Sequence, residues 1–165
     1  SIPFIDGDFV FQEKHGVITD FVAREGWPAF RRCESALIET LCADYASPQR
    51  IVFAPGGGAV AHDQGEEYRA CNATTLRNFG KVIYLLPDFN LDKSAAMLAE
   101  RQQSDTLSAS TRPPLSSQDG QDLFLSTLTL LHKRDPFYSS VAHVTFCTRD
   151  LSPQQIAHLL ACSYE

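Results

Sequence analysis

An unbroken apolar run, Ile51-Val-Phe-Ala54, stops at Pro55 and meets three consecutive glycines, Gly56, Gly57 and Gly58. Such a run without alternation describes a short strand covered on both faces, the kind found in parallel sheets. Glycines directly after it remove side chains where the backbone turns or a ligand comes close. Parallel strands need crossover helices between them, and the remaining sequence supplies a matching alternation.

Ile2–Ile5, Val82–Leu86 and His143–Thr148 read as further strands. Helices are expected over 17–23, 28–43, 64–78, 91–102, 121–133 and 152–161. In the second of these, Phe30, Cys33, Leu37 and Leu41 recur at spacings of three and four, and Ser47-Pro48 ends it. Gly80 is read as a helix end, and Ser152-Pro153 as an N-cap followed by a first-turn proline. Residues 104–120 are rich in Ser, Thr, Pro, Asp and Gln without periodicity, and read as a mobile loop. Strands alternating with helices indicate a single α/β domain with a parallel sheet.

Composition narrows the function classes. The 165 residues suffice for one domain with its own core. A net charge of -6 argues against nucleic acid or an anionic membrane as partner. An anionic small molecule remains compatible, because local arginines outweigh a weak global field. The five cysteines form no C-x-x-C pair and read as reduced thiols of a cytoplasmic protein. No apolar run approaches the roughly 20 residues of a membrane span. The histidines His15, His62, His132, His143 and His158 show no metal-ligand spacing and are read as structural or exposed.

Several short constellations carry chemistry. Asp6 and Asp8 flank Gly7 at the C-terminal end of a strand, the edge where open α/β sheets bind ligands. Two carboxylates there can hold a hydrated magnesium ion and take a proton from a hydroxyl. The same residues also suit a turn with aspartate as helix cap. Arg31 precedes Glu34 by three residues, so the two can pair on a helix. That pair is either a solvated surface contact or a carboxylate orienting a guanidinium fork toward an acid. Arg134, in Lys133-Arg-Asp-Pro-Phe-Tyr138, is placed at a helix end, where a cation suits the dipole. Arg112 begins Arg-Pro-Pro inside the polar loop, and Trp27, the single tryptophan, lies close in sequence to Arg31.

In order, Phe4-Ile-Asp-Gly-Asp8, Ala29-Phe-Arg-Arg-Cys-Glu34, Ile51 to Val60, Thr111-Arg-Pro-Pro-Leu115 and Lys133 to Tyr138 resemble shikimate kinase over nearly the whole chain. The wording Glu25-Gly-Trp-Pro-Ala-Phe-Arg31 is similar to the bacterial type II enzymes. The resemblance implies a P-loop NTPase-like fold of the nucleoside-monophosphate-kinase type. It implies transfer of the γ-phosphoryl of ATP to the 3-hydroxyl of shikimate, in the biosynthesis of chorismate and the aromatic amino acids. Asp6 is then expected near magnesium, and Asp8 on shikimate as catalytic base. Arg31, not Arg32, and Arg134 are expected on the substrate carboxylate, with Gly56, Gly57 and Gly58 forming the wall beside it. The loop over 104–120 is expected to be a closing lid, from which Arg112 stabilises the phosphoryl group in flight, and Arg101 is expected to contact the nucleotide. Ile18, Val22 and Phe30 match apolar positions lining the pocket. A monomer is expected.

No Gly-x-x-x-x-Gly-Lys-Ser/Thr segment occurs in these residues. The family carries it near its N-terminus, after a strand central to a sheet of order 2-3-1-4-5. The chain is therefore expected to be a piece of a longer protein, unable by itself to bind ATP tightly or to turn over. A non-catalytic shikimate-binding or regulatory module is the rival reading, and a kinase acting on another hydroxy acid a third.

Overall fold

A computed structural model describes residues 2–46, 50–104 and 122–163. Strand β1 (Phe4–Asp6) leads directly into α1 (Gly7–His15), followed by α2 (Ile18–Glu25), α3 (Trp27–Asp44) and β2 (Val52–Ala54). Then come α4 (Glu66–Phe79), β3 (Ile83–Leu86), α5 (Leu91–Ser104), α6 (Leu123–Val141), β4 (Val144–Cys147) and α7 (Pro153–Ser163). Ser47-Pro48, the loop from 105 onward with Arg112, and its end at 120 lie outside the described residues.

The described strands form two parallel pairs. β1 aligns with β2 through Phe4↔Val52, Ile5↔Phe53 and Asp6↔Ala54. β3 aligns with β4 from Ile83↔Val144 to Leu86↔Cys147. These are the second-beside-third and fourth-beside-fifth adjacencies of the expected order. The apolar runs had suggested strands covered on both faces, yet Val52 is 52% and Leu85 49% exposed. Among the described residues β2 and β3 are each paired on one side only.

Two boundaries differ instructively from the sequence reading. A helix over 7–15 was not foreseen, because its start overlaps the carboxylate pair. Asp6 Oδ1 accepts from the backbone N–H groups of Asp8 (3.0 Å) and Phe9 (3.2 Å), so the aspartate read as a possible cap is one. The helix expected to stop at 133 instead continues as α6 to Val141, through Pro136. An interior proline lacks an N–H and ordinarily breaks a helix. Here the far side is anchored independently: Val141 is buried, the Tyr138 hydroxyl donates to the Gly57 carbonyl, and Arg77 Nη1 donates to the Val141 carbonyl at 2.7 Å. Arg134 consequently sits within the helix, seven residues before its end, and is not a C-terminal cation.

Other boundaries follow local chemistry. Gly26, at φ +81°, separates α2 from α3 in a conformation that side chains disfavour, and Pro28 starts α3 where its missing N–H costs nothing. Ser152 and Gln155 form a reciprocal cap on α7, with backbone-to-side-chain bonds of 2.8 and 3.2 Å.

The core divides into three contiguous clusters. Ile5, Phe11, Ile18, Phe21, Phe30, Leu37 and Leu41 join β1 to α1, α2 and α3. Ile38, Cys42, Ala59, Val60, Leu76 and Val141 seat the segment after the glycines between α3, α4 and α6. Leu86, Ala95 and Leu131 join β3 to α5 and α6. The second cluster matters most for the site, because Ala59 and Val60 within it follow directly on the glycines.

Candidate active site

Because Asp6 stands opposite Ala54 in register, whatever follows β1 must meet whatever follows β2. Gly7 explains how closely. A Cβ built on it would lie 3.2 Å from the Ala54 carbonyl oxygen and from Pro55. The glycine of Asp-Gly-Asp therefore lets the start of α1 lie against the end of β2. Asp8 is half-buried there, and a Cβ on Gly56 would fall 2.6 Å from its Oδ1. Gly56 also has φ +95°, which independently favours glycine.

Arg31 is 5% exposed, and its Nη1 donates to Glu34 Oε2 at 2.7 Å. Glu34 is equally buried, so the pair is not the solvated surface contact that spacing allowed. The guanidinium carbon lies 5.1 Å from the Trp27 ring centroid and 5.0 Å from that of Phe30. The guanidinium thus makes cation–π contacts with two rings set nearly perpendicular to each other. A Cβ on Gly58 would stand 2.7 Å from Arg31 Nη2 and 2.8 Å from Nη1. Burial pushes the Glu34 pKa up, against the downward pull of Arg31, while Asp8 adds to the rise and Arg134 opposes it. Asp8, Glu34, Arg31 and Arg134 thus share one electrostatic neighbourhood. Neighbouring Arg32 is exposed.

From α6, Arg134 and Tyr138 complete the rim. Burial raises the Tyr138 pKa and the Arg134 guanidinium works against it. The Tyr138 hydroxyl donates to the Gly57 carbonyl, which ties α6 to the glycine segment. Asn72 of α4 supports the same segment with a 2.9 Å bond from Nδ2 to the Ala59 carbonyl. A cavity of about 10 Å³ lies beneath, lined by Gly7, Asp8, Phe11, Phe30, Glu34 and Pro55 among others.

The structure therefore brings together Asp8, Arg31, Arg134, Gly56, Gly57 and Gly58. Asp6 adjoins them at the α1 N-terminus. Ile18 and Phe30 are buried in the first core cluster and Val22 packs against it, while Phe30 also lines the cavity. Arg101 is exposed on the last turn of α5 and makes no ion pair with these groups. Arg112 lies outside the described residues.

Two features were missed in the sequence. His62, read only as structural or exposed, is buried beside Arg31, Arg69 and Arg134. No spacing rule marks it, since it follows the glycines as an ordinary loop residue. The second is a tie between Asp88, after β3, and Arg149, after β4. It borders an open cleft of about 330 Å³ that Lys93, Ala96, Met97 and Asp150 also line. The partners are 61 residues apart in sequence, so only the parallel register of β3 and β4 reveals them.

The carboxylates suit magnesium in a limited sense. Asp6 Oδ1 is engaged in capping α1, and among the described residues no group of three or more His, Cys, Asp or Glu could cage an ion. Asp6 Oδ2 takes no part in the cap, and magnesium needs only one or two carboxylates beside waters and substrate phosphates.

Comparison with known proteins follows the same line. Residues 1–163 match the family model described as shikimate kinase. Shikimate kinase 2 of Yersinia enterocolitica is 36% identical over 162 residues, covering 96% of this chain and 80% of that protein. Shikimate kinase of Oleidesulfovibrio alaskensis is 35% identical over 139 residues, covering 84% of this chain and 69% of its own length. The solved structure of shikimate kinase from Acinetobacter baumannii in complex with shikimate superposes with a TM-score of 0.70 at 27% identity, covering 99% of this chain and 80% of that one.

Proposed function

The chain belongs to the shikimate kinase family, with its P-loop NTPase-like fold, and from that premise we propose how its residues divide the work. The reaction moves the γ-phosphoryl of ATP to the 3-hydroxyl of shikimate. One P–O bond forms to that hydroxyl oxygen, the β–γ bridging bond breaks, and ADP leaves. Nothing favours the non-catalytic alternative.

The observation that carries the assignment is the buried Arg31–Glu34 pair set against Gly58 and beside Asp8. Glu34 occupies Nη1 of the fork, and the Trp27 and Phe30 rings pack against its head. The head is thus preorganised to bind the shikimate carboxylate through charge-assisted bonds. Arg134 approaches the same anion from α6. The carboxylate is held at one end of the ring, so the 3-hydroxyl is directed to Asp8, which accepts its proton as the new bond forms. Gly56, Gly57 and Gly58 form the wall between acceptor and phosphate. Asp6 would hold magnesium together with nucleotide phosphates, and the ion would neutralise charge on those phosphates. Arg112 would balance charge on the transferring group, and Arg101 would meet the nucleotide. Positioning and charge stabilisation supply most of the catalysis in such transfers. A cytoplasmic monomer is the proposed setting.

Incubating the longer protein, with the phosphate-loop segment that these 165 residues lack, with ATP, magnesium chloride and shikimate and following ³¹P resonances tests the proposal. Shikimate 3-phosphate and ADP should appear in equal amounts, and their absence with saturating substrates would reject it.

A further inference from the structure

His62 is the one histidine buried in the described structure, at 5% exposure, and neither of its ring nitrogens has a hydrogen-bond partner there. Arg31 Nε, also buried, lacks a partner as well. A buried donor or acceptor left unmade costs free energy, so orphaned groups in one place point to a ligand that completes them. The surroundings identify the ligand's charge. Arg31 from α3, Arg69 from α4 and Arg134 from α6 all bear on the imidazole, and Asp63, held by Lys133, is the one acidic group that does.

The backbone around His62 is held firmly. Arg69 Nη1 donates to its carbonyl at 2.7 Å, and the Arg69 guanidinium stacks on Phe137 at 4.2 Å. The preceding Ala59, Val60 and Ala61 are buried. The ring is thus a fixed polar group among three cations, on the segment that runs on from the glycine wall.

We propose that His62 is a positioning and specificity residue of the acceptor site, hydrogen-bonding the carboxylated substrate beside Arg31 and gaining a proton as that anion binds. This rests on the functional reading above and adds a residue to it. Without the anion, burial first and the three arginines next depress the imidazole pKa to about 4, so the ring is neutral. A carboxylate placed between the guanidiniums and the ring offsets those cations and accepts from an imidazolium N–H. The proton comes from solvent, and the pair formed is imidazolium with carboxylate.

Calorimetric titration of shikimate into the protein at pH 5.5, in MES and in piperazine, reads proton uptake from the difference in ionisation heats. We expect uptake of a substantial fraction of one proton per shikimate, declining toward zero at pH 8. His62→Gln keeps a hydrogen-bonding group and should abolish the uptake, whereas His62→Leu should also weaken binding several-fold at pH 7.5. A ¹³C–¹H titration of the wild-type histidine ring signals serves should a variant not fold, because the midpoint near 4 should move upward with shikimate. Saturable binding without His62-dependent uptake, or an unmoved midpoint, overturns this inference alone. No saturable heat in the wild type overturns the acceptor reading and this inference together.

Discussion

Gly58 and Arg31 are in contact so close that no side chain fits between them. A Cβ on Gly58 would stand 2.7 Å from Nη2 of a guanidinium that Glu34, Trp27 and Phe30 hold from its other sides. The third glycine is thus required by the arginine and not by its own backbone angles. Gly58→Ala should displace the fork and weaken shikimate binding by about tenfold or more, as expected when charged hydrogen bonds are lost. Gly80→Ala is the matched control, since a Cβ there meets nothing within 4 Å. Titrations of both variants by Trp27 fluorescence decide the point, and equal dissociation constants would remove Gly58 from the site.

Arg31→Lys keeps the charge and loses the planar fork. Shikimate binding should weaken by roughly 1.5–3 kcal/mol, the range for hydrogen bonds to charged groups. The indole of Trp27 lies 5.1 Å from the guanidinium, so its emission should report the titration directly. An unchanged affinity would place the carboxylate elsewhere.

Glu34→Ala removes one member of a pair whose partners are each 5% exposed. The arginine left behind would be a buried charge without its counterion, and the loss should be about 3–5 kcal/mol. Urea denaturation gives the figure. A loss below about 1 kcal/mol would show that water reaches the guanidinium.

In the longer protein that carries the phosphate loop, Asp8→Asn should reduce kcat by roughly 10²–10⁴ if Asp8 accepts the hydroxyl proton. Its melting temperature should change little, because the α1 cap belongs to Asp6 and is untouched. Steady-state kinetics beside a thermal scan separate the two roles. Near-normal kcat would make Asp8 a structural residue.

Stability should depend on His62 in a defined pH window. An unfolded histidine takes its proton near pH 6.5, whereas the buried one resists until about pH 4. The contribution is complete above pH 6.5, falls as pH drops toward 4, and is constant below that. Over this window it should reach on the order of 1–3 kcal/mol. Urea unfolding of wild type and His62→Gln at pH 7.5, 5.5 and 4.5 should show a shallower decline in the variant. Parallel declines would assign the acid sensitivity to other groups.

Local chemistry made much of this legible in the sequence. The apolar run ending in glycines, the three-four spacing of α3 and the Ser152-Pro153 start of α7 are decided by neighbours a few residues away, and they reappear in the structure. The pairing of Arg31 with Glu34 was equally readable, since positions three apart share a helix face. Its burial was not, because that depends on Trp27, Phe30 and the glycine segment closing over it. The extent of α6 beyond 133 was hidden for the same reason. The local preference of Pro136 ends a helix, and only anchors from Gly57 and Arg77, distant in sequence, carry α6 past it. His62 and the Asp88–Arg149 tie had no sequence signal at all. Proximity there is set by the parallel register of strands and by helices converging from three directions, and the burial that strips a histidine of water exists only once that packing is complete.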